Sequence, residues 1–98
     1  MIENGSQQPV KEEKILVVDD DLHMRIFMST LLETSGFKVI ASKDGKEGIH
    51  EAKKSAPSLI ILDLMMPRRG GILMYQQVKA DENLRDIPII IIRLDNFA

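Results

Sequence analysis

The 98 residues include no cysteine, so neither a disulfide framework nor a thiolate metal centre can be built from them. Strong charge of one sign is missing as well. Thirteen basic residues stand against fifteen acidic ones, for a formal net charge of −2, which gives no general attraction to nucleic acid or to anionic membranes. The longest apolar runs, such as Ile89–Ile92, fall far short of the ~20 residues that cross a bilayer. The N-terminal stretch Met1–Glu13 lacks a signal peptide's apolar centre and carries Glu3, Asn4, Ser6, Gln7 and Gln8 instead. These absences lead us to expect a soluble, cytoplasmic chain with no direct nucleic-acid or membrane partner. The length suits one small domain. We read residues 1–13 as a loose polar leader and 14–98 as that domain.

What is present alternates between two periodicities. Ile15-Leu16-Val17-Val18 is a continuous β-branched apolar run that stops at acidic residues, the pattern of a strand covered on both faces. Leu59–Leu62 and Ile89–Ile92 repeat it, and Val39–Ser42 is a weaker version suited to a sheet edge. Between the runs the spacing turns helical. Met24, Phe27, Met28, Leu31 and Leu32 form one apolar stripe, with Asp20 or Asp21 as the N-cap and Ser35-Gly36 as the stop. A second helix is expected over Lys46–Lys54, burying Ile49 and Ala52. A third is expected from Gly71 to Ala80, with Ile72, Tyr75 and Val78 turned inward.

The order β-α-β-α-β-α-β implies an α/β fold, a parallel sheet with helices on both faces. Right-handed crossovers favour the strand order 2-1-3-4, with a switch point between the first and third strands. Asp19, Asp20 and Asp21 follow the first strand directly and Asp63 directly follows the third, so this topology gathers the acids at one end of the sheet. Crowded carboxylates repel, and a buried lone anion is costly. A hard divalent cation such as Mg²⁺, which takes one or two carboxylates plus phosphate oxygens, relieves both problems. Beside it a carboxylate can attack phosphorus, giving an aspartyl phosphate. Asp21 suits a simpler role, capping the first helix.

The segments Lys14-Ile15-Leu16-Val17-Val18-Asp19-Asp20-Asp21 and Leu62-Asp63-Leu64-Met65-Met66-Pro67 together resemble the receiver domain of two-component response regulators. Ser42–Gly48 and Val78–Asp81 match it too, and the resemblance runs from about Lys14 to Ile92. It implies a flavodoxin-like fold and a phosphorelay role. It further implies Asp63 as phosphoacceptor, Asp20 as direct metal ligand and Asp19 as a ligand through water. Asp63 and the backbone carbonyl of Met65 complete the Mg²⁺ site, and the donor is a phosphohistidine on a sensor histidine kinase or phosphotransfer protein. Such a domain signals rather than acting as an enzyme.

The chain departs from that pattern in three places. Arg93 stands where the family carries Ser or Thr, and Gly70 where it carries Asp. The fourth helix, the fifth strand with its lysine, and the fifth helix have no counterpart before Ala98. With the fifth strand missing, Ile89–Ile92 is expected to be an open apolar edge that pairs with another chain or a second copy. Two other functions stay open. One is a receiver-like interaction or dimerisation domain that does not use phosphate. The other is a phosphohydrolase of the haloacid dehalogenase type with Asp19 as nucleophile, disfavoured because no later lysine–acid pair has room. His23, His50 and the pair Arg68-Arg69 read as solvated surface.

Overall fold

The computed structural model describes residues 12–92, so the leader apart from Glu12 and Glu13, and the position of Arg93, lie outside the described residues. Four strands and three helices follow in strict alternation: β1 (Lys14–Val18), α1 (Leu22–Thr34), β2 (Lys38–Ser42), α2 (Gly45–Ser55), β3 (Leu59–Asp63), α3 (Gly70–Ala80) and β4 (Ile89–Ile92). A single 3₁₀ turn, Pro67–Arg69, precedes α3. The sheet has the order β2-β1-β3-β4 and every pairing is parallel. The expected fold class is therefore the observed one. None of the described helices is long and apolar enough to cross a membrane.

Alternation along the central strands divides the interior in two. Leu16, Val18, Ile60 and Leu62 point to one face and join Ala52 of α2 with Met74 and Val78 of α3. Ile15, Val17 and Ile61 point to the other, where Met28 and Leu32 of α1 lie against them. The first face thus carries two helices and the second, among the described residues, one.

That imbalance corrects the expected α1 stripe. Met28 and Leu32 reach the sheet, but Phe27 is 59 % and Leu31 54 % exposed. Periodicity marked an apolar flank correctly; no neighbouring helix among the described residues covers it. In α3, Val78 and Met74 are buried and Tyr75 packs half-buried against the same core, while Gly71 completes the buried side and Ile72 is half-buried. In α2, Ala52 is buried as expected and Ile49 is half-buried; Gly45 and Gly48 supply the rest of the contact surface. Both glycines let α2 approach α3 closely. A Cβ on Gly45 would stand 2.6 Å from the Gly70 carbonyl oxygen, and one on Gly48 2.7 Å from Met74 Sδ.

The helix ends follow their local chemistry. Asp21 Oδ1 accepts from the amides of His23 and Met24, so Asp21 is the N-cap of α1. Gly36 closes that helix at φ 100°, a left-handed value that favours glycine. Asp44 caps α2 by accepting from Glu47 N, and Glu47 Oε1 accepts in return from Lys43 N. His23 and His50 are exposed, as expected of surface residues.

Candidate functional site

A parallel sheet points all its carboxyl ends the same way, so the residue that ends β3 and the one that follows β1 must be neighbours once β1 pairs with β3. Val18 lies opposite Leu62, which puts Asp19 beside Asp63. One carboxylate oxygen from each of Asp19, Asp20 and Asp63 lies within 4.8 Å of the other two. Asp19 and Asp63 are buried, at 1 % and 4 % exposure, while Asp20 faces solvent. Asp21, the fourth acid at this end, is spent on its helix cap.

Each buried acid is fixed through one oxygen. Asp19 Oδ1 accepts from Asp21 N at 2.9 Å, and Asp63 Oδ1 accepts from Met65 N at 2.8 Å. Asp19 Oδ2 is buried and has no hydrogen-bond partner. Buried carboxylate oxygens are seldom left bare, because the loss of hydration must be offset by a donor or a cation. Burial first, then the negative charges of Asp63 and Asp20, push the Asp19 carboxyl up to about 6, against the opposing pull of the Asp21 amide. Among the described residues this trio is also the one acid-rich group with metal-binding geometry. A hard cation bound by oxygen ligands fits it, since the ion with its bound water would give Asp19 Oδ2 a partner and relieve the mutual repulsion.

The walls of the site bring in residues that the sequence reading passed over. Arg25 Nη1 donates to the backbone oxygen of Asp19 at 2.8 Å. The same guanidinium borders a cleft of about 250 Å³ that also includes Asp20, Lys43, Met66 and Arg68. Gly71, at the start of α3, lies directly on the backbone at the end of β3. A Cβ there would collide with the Asp63 carbonyl oxygen and stand 2.7 Å from Leu64 Cα. Arg68 and Arg69 are exposed and both adopt left-handed backbone angles, φ 55° and 57°, which agrees with the solvated turn expected of them. A basic residue one helical turn after the capping acid is a signal that could have singled out Arg25; glycine gives none.

Sheet order, switch point and converging carboxylates together define a doubly wound α/β domain with an acidic site at the carboxyl end of its sheet. Residues 15–96 match the response regulator receiver domain family, and the chain belongs to it. It is 37% identical over 83 residues to a probable transcriptional regulator, ycf27, of Porphyridium aerugineum, a match that takes in 85% of this chain and 33% of that protein. It is 38% identical over 90 residues to hybrid signal transduction histidine kinase D of Dictyostelium discoideum, across 92% of this chain and 6% of the other. The fold superposes on the Vibrio cholerae chemotaxis protein CheY4 with a TM-score of 0.81 at 28% identity, covering 88% of this chain and 72% of that one. This chain spans about a third of the length of the first curated relatives it matches.

Proposed function

We propose that this chain is the phosphoacceptor of a two-component relay, receiving a phosphoryl group on Asp63 from a phosphohistidine of a sensor histidine kinase or phosphotransfer protein. The observation that carries the reading is the buried, unpartnered Asp19 Oδ2 within a trio of converging carboxylates. In this reading Asp20 holds Mg²⁺ directly, Asp19 holds it through water, and Asp63 and the Met65 backbone carbonyl complete the set. Bound there, Mg²⁺ neutralises the incoming phosphoryl oxygens. An Asp63 oxygen attacks phosphorus and the P–N bond of the donor's phosphohistidine, protonated on its other ring nitrogen, breaks; the electron pair returns to the imidazole nitrogen, leaving a neutral histidine and an acyl phosphate. The Met65 amide holds the other Asp63 oxygen and so aims the attacking one. The same reading places the chain in the cytoplasm and assigns it signalling rather than turnover.

Incubation with acetyl phosphate or phosphoramidate and Mg²⁺, followed by intact-mass measurement, tests the proposal. One phosphoryl group is expected on the unaltered chain and none on Asp63→Asn. No mass gain at any Mg²⁺ concentration would refute it.

A second reading has its own observation. Ile90 and Ile91 of β4 are 52 % and 43 % exposed, and no strand among the described residues pairs with that outer edge. Such an edge recruits another strand, so β4 serves self-association or completion by a partner with or without phosphate. Light scattering should show mass rising with concentration, and Ile90→Lys should lower it. A monodisperse monomer at high concentration excludes this use of β4.

A further inference from the structure

The peptide unit that joins Asp19 to Asp20 fixes how the two acids face each other, because the group is planar and the two α-carbons move with it. One end of that unit is the Asp19 carbonyl oxygen, and it accepts from Arg25 Nη1 at 2.8 Å. The chain must here leave β1 and enter α1 within three residues, Asp19 to Asp21. Other bonds hold the parts on either side of that carbonyl. Asp19 N donates to Ser42 O at 3.1 Å, Asp21 N donates to Asp19 Oδ1, and Asp21 itself caps α1. Asp20, the exposed acid, has no side-chain hydrogen bond among the described residues, so its direction is set by its backbone.

We infer that Arg25 is a positioning residue for the acidic site: by clamping the Asp19 carbonyl from the second turn of α1 it fixes the angle between Asp19 and Asp20, and so sets the affinity for a divalent cation. The inference rests on the metal reading above. Lys43 and Arg68 border the same cleft, yet neither side chain makes a hydrogen bond to the acidic loop among the described residues. Arg25 alone of the three is anchored to it. The guanidinium suits the task because its planar fork keeps one N–H on the carbonyl while the charge stays in the cleft.

Charge and geometry predict opposite signs, which makes the inference testable. Arg25 is a cation beside a cation site, so deleting it as mere charge would tighten Mg²⁺ binding through relief of repulsion. Deleting it as a clamp loosens the acid pair and weakens binding. Mg²⁺ titration calorimetry at pH 7.5 on the 98-residue chain decides between them. Arg25→Met is expected to bind about tenfold more weakly, and Arg25→Lys, which can still reach the carbonyl, within about threefold of the unaltered chain. Amide exchange at Asp20 and Asp21 in EDTA should speed up in Arg25→Met and not in Arg25→Lys. If Arg25→Met melts too low to titrate, Arg25→Gln takes its place with the same expectations. Equal or tighter binding by the methionine or glutamine variant overturns the inference alone. No Mg²⁺ binding by the unaltered chain overturns it together with the metal reading.

Discussion

Metal-free Asp19→Asn is expected to be more stable than the unaltered chain at pH 7.5, and the difference is expected to vanish towards pH 4. The Asp19 carboxyl titrates near 6 in the folded protein, against about 3.9 in an unfolded chain. Below the lower value both states are protonated and the group has no effect on folding. Between the two, the unfolded chain releases its proton while the folded chain keeps it, so stability falls as pH rises. Above 6 the loss is complete. Two pKa units correspond to about 3 kcal/mol, a ceiling on what one buried acid imposes. In a domain of this size that is a Tm difference on the order of 10 °C. Asparagine keeps an oxygen for the Asp21 amide and carries no charge, so the variant isolates the penalty.

Thermal melts of both proteins in EDTA from pH 4 to 8 give the difference curve, with the carboxylates remote from Asp19 cancelling. A flat difference would refute the account. Added Mg²⁺ should raise the Tm of the unaltered chain more than that of Asp19→Asn, since a ligand stabilises the state that binds it. On this account the acid trio is a local cost in the metal-free fold, which the proposed Mg²⁺ would offset.

The second large effect is expected at Gly71. Alanine is the better helix former by about 1 kcal/mol, and on propensity alone Gly71→Ala in α3 would stabilise. The added methyl, however, would meet the Asp63 carbonyl oxygen and the Leu64 backbone. No rotamer relieves a clash with main chain, so strand end and helix must separate. Overpacking of this kind costs about 3 kcal/mol, which outweighs the propensity gain. Gly48 is the internal control. There the nearest obstacle is Met74 Sδ, which a flexible side chain can move aside. Urea unfolding should therefore place Gly71→Ala at a much lower midpoint than the unaltered chain, and Gly48→Ala between them. An unchanged midpoint for Gly71→Ala would mean that α3 does not press on the end of β3.

Sheet order was legible because continuous runs such as Ile15–Val18 and Leu59–Leu62 can be buried only in the middle of a parallel sheet. The helices were legible as helices but not always as to which side is covered. Phe27 and Leu31 have the hydropathy of core residues, and hydropathy does not report whether a neighbour lies over them. In α3 the inward side begins at Gly71, which carries no hydropathy signal, so Ile72 drew the eye instead. The acids could be placed because they terminate strands. The burial of Asp19, its bare oxygen and the reach of Arg25 to a backbone carbonyl depend on packing between segments distant in sequence, and local pattern cannot contain them.

The described strands all run in one direction, and this has a consequence for how the acid trio comes into being. Asp19 and Asp63 are far apart along the polypeptide and meet only after β1 and β3 have zipped together in register. Nothing local preassembles them: neither the β1–α1 unit alone nor β3 alone contains all three acids. Uptake of the proposed cation during refolding is therefore expected to be a late event that waits on closing a long loop of chain and lags behind the appearance of helix.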